Sequence, residues 1–395
     1  MLNLNTGASG RVKIQVIGPD GEVLLDRPWK SNMILDSGMS GIASRSWAKS
    51  FEYAVAGTGS TGDANYPVRI FTGTTVSISG TTATALSGTF TGKTGYMLVA
   101  TGGPTDTPLQ AKISSVAGGG GSCTLDVAPG NCTSFVLELW RVDQTALLTE
   151  VSRSNSYVNP GCGWSVVGNE LKIFRTYDFA VEGVGGHTYT ELGFSWGTTG
   201  TNLFSRVPIT PVAVVAGAKL RVTYEVDLFI YAGSPTKATA SITGWGSTLQ
   251  LNSWQVLGLD VVSPSTGATI QSAGSTSCME PSGSASLFLS SVNAAPATLF
   301  SDVNRTGASF ASVSMTQTAT ANAGGYFTAT KEGVFDGTTG NGSSWSCLGI
   351  TSPDAPGTRN GWVLVFDSPQ AKSSTQTLTL DFSYSWARSL TGEAL

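Results

Sequence analysis

One histidine, His187, serves the whole chain of 395 residues, and that scarcity narrows the chemistry available. Histidine is the side chain that titrates near neutrality without help, and it is the commonest metal ligand. Any Ser–His or Cys–His scheme has to run through His187, which sits in the turn-forming run Gly185-Gly186-His187. The five cysteines (Cys123, Cys132, Cys162, Cys278 and Cys347) are odd in number and lack CxxC spacing, which argues against a zinc site. Cys123 and Cys132 flank Ala128-Pro129-Gly130-Asn131 and face each other if a hairpin forms there. Free buried thiols are the default for a chain made in a reducing cytoplasm. Charge is thin as well: charged residues make up 12% of the chain, half the usual ~25%. The net charge of −4 contains no Lys/Arg cluster, so the basic footprint that a nucleic-acid surface needs is missing. No apolar run approaches the ~18 residues of a spanning helix. The opening Met1-Leu2-Asn3-Leu4-Asn5-Thr6-Gly7 has neither the basic nor the apolar region of a secretory signal. Neither nucleic-acid binding nor membrane insertion is expected.

What the chain does have is glycine, alternation and enough apolar residues for real cores. Its 49 glycines are nearly twice the usual ~7%, as expected where many tight turns join strands. Apolar content of 40% excludes disorder as the general state. The clearest element is 219–231. Leu220, Val222, Tyr224, Val226, Leu228 and Ile230 fall on one face, Arg221, Thr223, Glu225 and Asp227 on the other. Period-2 alternation of this length predicts a long half-buried strand. Leu378, Leu380, Phe382, Tyr384 and Trp386 repeat the pattern near the C-terminus.

The predicted fold is all-β: an antiparallel β-sandwich, jelly-roll-like, with an inserted small β-barrel and one short helix. Residues 11–17, the turn Gly18-Pro19-Asp20-Gly21 and residues 22–25 read as a hairpin. Asn32 is the expected N-cap of a helix from Met33 to about Ser44, turning Ile34, Met39 and Ile42 inward. Short strands at 74–79, 96–100, 110–116, 123–127 and 135–140 predict a small barrel or sandwich. The expected division is a core from 1–66 with 146–235, an inserted module at 67–145, and a β-rich region at 236–395 whose strand 376–388 completes the core. Pro208 and Pro211 mark an expected crossover before the 219–231 strand.

Two motifs with chemical connotations fail on context. Gly193-Phe194-Ser195-Trp196-Gly197 matches GxSxG, but that nucleophile elbow needs a strand-to-helix turn and a histidine later in the chain. His187 lies upstream, and the alternation of Leu192, Phe194 and Trp196 keeps Ser195 inside a strand. Gly57-Thr58-Gly59-Ser60-Thr61-Gly62 matches GxGxxG, but Asp63-Ala64-Asn65-Tyr66-Pro67 follows where dinucleotide binding requires a helix N-terminus. Two carboxylates about 5–9.5 Å apart suffice for glycoside hydrolysis. Asp178, Glu182, Glu191, Asp336 and Asp354 are the ones to inspect, and none stands out from ordinary solvated carboxylates. Trp245, Trp254, Tyr326 and Trp345 are candidates for stacking on a glycan or a partner; the alternative is core or interface burial. The sequons at Asn131, Asn304 and Asn341 are expected by chance at this Ser/Thr content. No catalytic, cofactor-binding or metal-ligating residue is expected.

Asn32-Met33-Ile34-Leu35-Asp36-Ser37-Gly38-Met39, followed by Ala54-Val55-Ala56-Gly57-Thr58-Gly59-Ser60, resembles the opening of a family of tailed-bacteriophage virion proteins, tail-fibre- and collar-like. Phe174–Phe179, Tyr189–Trp196, Asn202–Arg206 and Ala216–Tyr224 resemble the same group, and 67–145 looks like a β-module that recurs in phage fibres. The resemblance covers about 1–235 and the last strand; 236–375 resemble no family we can name. It implies a non-enzymatic virion component that self-associates as a trimer or larger oligomer and docks to other virion proteins in the tail, neck or collar. A host-glycan-binding receptor protein and a capsid decoration protein are the alternatives. The family implies no catalytic residues.

Overall fold

The chain is described by a computed structural model covering residues 2–42, 51–59, 69–101, 109–128, 132–158, 161–167, 170–230, 236–241, 248–255, 286–291, 310–323, 326–342, 344–351 and 360–388. Strands dominate, and one short helix is found among these residues. The chain opens with β1 (Leu2–Ile17), β2 (Val23–Asp26), β3 (Lys30–Ile34), α1 (Asp36–Ile42) and β4 (Tyr53–Gly57). The first hairpin turns where expected: Gly21 takes φ 84°, and Gly18 N–H donates to Glu22 O at 2.9 Å.

Next come β5 (Arg69–Ser79), β6 (Thr82–Ala85), β7 (Met97–Thr101), β8 (Leu109–Val116), β9 (Ser122–Leu125) and β10 (Cys132–Trp140). They close into a barrel in the order β5-β6-β9-β8-β7-β10, around Val76, Ile78, Phe90, Leu98, Ile113 and Leu125. Closure leaves no free edge in this unit. Its two ends lie side by side, because Arg69 pairs with Trp140 across the β5–β10 ladder. The two cysteines do not face each other across a hairpin, because β9 and β10 are not paired. Cys123 lies between β6 and β8, Cys132 pairs with Ile78 on β5, and Cys123 is a free buried thiol.

The chain then returns through β11 (Glu150–Ser154), β12 (Gly163–Val167), β13 (Glu170–Asp178), β14 (His187–Ser195), β15 (Leu203–Val214) and β16 (Lys219–Ile230). One sheet runs β12-β13-β16-β1 and the other β11-β4-β14-β15. β3 pairs with β1 at Gly10–Val12 and with β15 at Ser205 and Arg206, so it joins the sheets at a corner. Leu220, Val222, Tyr224 and Val226 are all fully buried between the sheets, each side chain stabilising the fold by roughly 1.5–3 kcal/mol. Tyr224 stacks on Phe194 of the opposite sheet, centroids 3.8 Å apart, with Phe51 edge-on at 5.5 Å.

The last part comprises β17 (Thr236–Ser241), β18 (Thr248–Gln255), β19 (Ser286–Ser290), β20 (Phe310–Ala323), β21 (Tyr326–Phe335), β22 (Ser344–Thr351), β23 (Asn360–Ala371) and β24 (Leu378–Arg388). β24 joins β1 in parallel, Leu2 opposite Phe382 through Ala8 opposite Arg388. β21 and then β20 continue from it. β20 also pairs with β19, which leads through β22, β23 and β18 to β17.

Two local expectations are corrected. Asn32 is no helix cap: it lies inside β3, buried, with its amide donating to Ser205 Oγ at 3.0 Å. Pairing on both edges of β3 overrides the local cap signal, and the helix begins at Asp36. Residues 43–50, expected to hold its end, lie outside the described set. Pro208 and Pro211 mark no crossover either, since both lie within β15. β15 meets β3 only at Ser205 and Arg206, so the prolines stand where no partner needs an N–H. The ladder to β14 slips between Tyr189 and Glu191 at the same place.

Candidate functional site

Of the four aromatic residues singled out for ligand contact, Trp345 is corrected to a core residue. It is 2% exposed, and its indole N–H donates to Gly340 O at 2.9 Å, so it cannot stack on a surface sugar. Trp254 and Tyr326 have backbone places in β18 and β21, with side chains outside the described set; Trp245 lies wholly outside it. Ser195 is fully buried at one end of β14 and His187 begins the other. Eight residues of strand separate them by roughly 26 Å, so the two cannot form a nucleophile–base pair. His187 Nδ1 instead meets Glu182 Oε2 at 2.6 Å, and Tyr189 donates to the other oxygen of that carboxylate at 2.5 Å.

The remaining carboxylates hold the scaffold. Asp178 accepts both arms of Arg221, at 2.6 and 2.9 Å, and meets Lys219 at 2.6 Å. Asp336 closes its own turn by accepting from Thr338 N and Oγ1 and from Thr339 N. Those bonds hold its carboxyl at about 2. Asp354 lies outside the described residues. Glu191 explains the glycine-rich turn after β4. Its carboxylate accepts from the backbone N–H of Gly59, Leu148 and Thr149 at 3.2, 3.2 and 2.9 Å. Arg206 grips the same group at 2.9 Å, both side chains being wholly buried. The N–H of Gly59 is thus turned on an internal anion rather than left for a phosphate. A Cβ at Gly59 or Gly57 would strike that carboxylate, so glycine here answers a need for close approach.

The arrangement with most structural consequence centres on Asp36, the first residue of α1. Arg388 of β24 reaches Asp36 Oδ1 at 2.6 Å and Ile34 O at 2.5 Å. Lys112 of β8 holds Asp36 Oδ2 at 2.7 Å. One carboxylate therefore ties the sandwich to the barrel and to the last strand. Burial draws the Arg388 guanidinium below its ordinary range, opposed by the charge of Asp36. Arg388 Nη1 also approaches Met97 Sδ at 3.9 Å. Around them Met33, Leu35, Val55, Met97, Val142, Leu147 and Leu203 form a separate apolar cluster between β7 and the sandwich. Sequence reasoning named the Asn32–Met39 segment but missed Asp36 as its working residue. Its partners are 76 and 352 positions away, a juxtaposition that no local pattern announces.

A second polar group lies on the outward face of β16. Glu225 meets Arg11 at 2.6 Å, and Asp227 stands in register between Ser9 of β1 and Lys172 of β13. Among the described residues no group of three or more His, Cys, Asp or Glu has the geometry to hold a metal ion. No helix there is long and apolar enough to cross a membrane. No protein-family model matches the chain, and no curated protein matches it.

Proposed function

We propose that this chain is a non-enzymatic structural component of a tailed-phage particle, acting by oligomeric assembly and by docking to other virion proteins. The observation that carries the reading is where the phage-like signatures fall. Gly38 of the opening motif lets α1 lie against the backbone of Phe204. Glu191 and Arg206, from two further signature segments, form the buried pair that organises the turn after β4. Ala218, Leu220, Val222 and Tyr224, from a fourth segment, pack in the main core. The residues that carry the resemblance support a scaffold, which suits a particle component. Low overall charge adds to this. A sheet edge that is neither charged nor covered invites pairing, and closed symmetry among copies is the usual way to cover it.

Quantitative mass spectrometry of purified particles from a phage encoding the chain tests the proposal. A handful of copies per particle is expected for a tail, neck or collar component; hundreds would instead support a decoration role. Absence from washed particles would overturn it. Light scattering of the purified chain at micromolar concentration tests the assembly step, with a trimer or larger oligomer expected.

A further inference from the structure

The outward face of β16 carries more negative charge than its neighbours neutralise. Glu225 and Asp227 occupy the polar face of the strand, yet they are only 6% and 7% exposed. From β1 they are faced by Ser9 and Arg11, and from β13 by Lys172 and Glu170. Arg11 is committed to Glu225 at 2.6 Å and lies 4.6 Å under the Trp29 ring. Lys172 hydrogen-bonds Glu170 at 2.9 Å and stands 3.9 Å from Glu225 and 3.8 Å from Asp227. Ser9 reaches Asp227 Oδ2 only at 3.4 Å, and Asp227 Oδ1 is buried without a hydrogen-bond partner. Three carboxyl groups thus face two cations, and the least served of the three is buried. An uncompensated carboxylate in such a place is costly. Taking up a proton relieves that cost, the more so beside a second carboxyl group.

We propose that Asp227, crowded by Glu225, holds a proton up to near-neutral pH, and that its release on alkalinisation loosens the seam of β1, β16 and β13. The perturbation of Asp227 runs the same way: burial first, then the charge of Glu225, push its carboxyl up to about 7. Lys172 stays cationic, because its carboxylate neighbours outweigh its burial and raise it. In the unfolded chain an aspartate holds its proton only below ~3.9. Between roughly pH 4 and 7 the folded state therefore binds a proton that the unfolded state lacks. The stabilisation is complete below that window and is lost as the pH rises through it, up to about tenfold in the folding constant per pH unit.

Carboxyl 13C NMR of the full chain from pH 4 to 9 reads the site directly. One late carboxyl titration near pH 7 is expected, absent in Asp227→Asn. Urea unfolding at pH 5.5 and 8 gives a second readout: the folding constant of the parent chain should drop about thirtyfold relative to that of Asp227→Asn over the same interval. Every carboxyl titrating below about pH 5.5 would overturn the proposal, as would an unchanged pH slope in the variant. Should Asp227→Asn fail to fold, Glu225→Gln replaces it, and the NMR titration of the parent chain needs no variant.

Discussion

Replacing Gly38 by alanine tests the packing logic of the opening motif in one step. The reason for glycine here is space. A Cβ at position 38 would overlap the carbonyl oxygen of Phe204, with the carbonyl carbon at 2.8 Å and its Cα at 2.9 Å. Relaxed contacts between such atoms lie near ~3.5 Å or beyond, so α1 must lift from β15 by an ångström or more. That movement strains two hydrogen bonds made across the same contact: Leu35 N–H to Phe204 O at 2.9 Å and Ser37 Oγ to Leu203 O at 2.5 Å. Overpacking costs about 1–3 kcal/mol, and each lost bond adds roughly 1 kcal/mol, so Gly38→Ala should destabilise by about 3–5 kcal/mol. Against a total of ~5–15 kcal/mol for a typical fold, the loss is large. Urea denaturation followed by tryptophan fluorescence measures it. Ser40→Ala, an exposed change in the same helix, is the control and should shift stability by less than about 0.5 kcal/mol. A Gly38→Ala variant as stable as that control would refute the close approach of α1 to β15.

Val226→Asp should destabilise by several kcal/mol, because position 226 is wholly buried in the main core. Thr223→Asp, on the half-buried outward face where its hydroxyl meets Thr176 at 2.8 Å, should lose only about 1–2 kcal/mol; equal losses in urea melts would contradict this sidedness. Glu191→Ala strands the buried Arg206 and should lose about 3–5 kcal/mol, whereas a change below 1 kcal/mol would show that the pair does not organise the turn. Burial pushes Asp178 up, yet hydrogen bonds from Arg221 and Lys219 outweigh it and hold its carboxyl below the usual range. Its contribution is present above ~pH 3.9 and fades as pH falls through the depressed folded value, so Asp178→Asn should flatten the acid limb of a thermal-melt series. Excising 69–140 with a short Gly/Ser bridge should leave a soluble remainder, since Arg69 and Trp140 are paired neighbours; aggregation of the remainder would show that the barrel is needed by the main core.

Alternation was the readable part of this sequence. Leu220 to Val226 sit in the core as the period-2 pattern requires, because a strand places every second side chain on one side whatever its partners are. β6 was missed because Thr82-Ala83-Thr84-Ala85 has so little apolar contrast; its strand character comes from pairing with β5 and β9. Asn32 and Pro208 misled for a common reason. Each carries a strong local signal, and each is overruled by whether a neighbouring strand occupies its edge. Trp345 shows the limit for single aromatics, since the same residue suits a sugar platform or a core and only the fold decides. The Asp36 cluster and the Glu225–Asp227 row depend on pairings between distant strands, which residue order does not reveal.

The parallel pairing of β1 with β24 carries a consequence for how the molecule is made. At ~5–20 residues per second, translating 395 residues takes roughly 20–80 s. For most of that time the segment Leu2–Ala8 has emerged while its partner Phe382–Arg388 has not. The stretch waits as a bare strand edge, and a second ribosome on the same message can supply the matching strand first. Strand exchange between sister chains is therefore the assembly error this topology invites, and the delay sets its window.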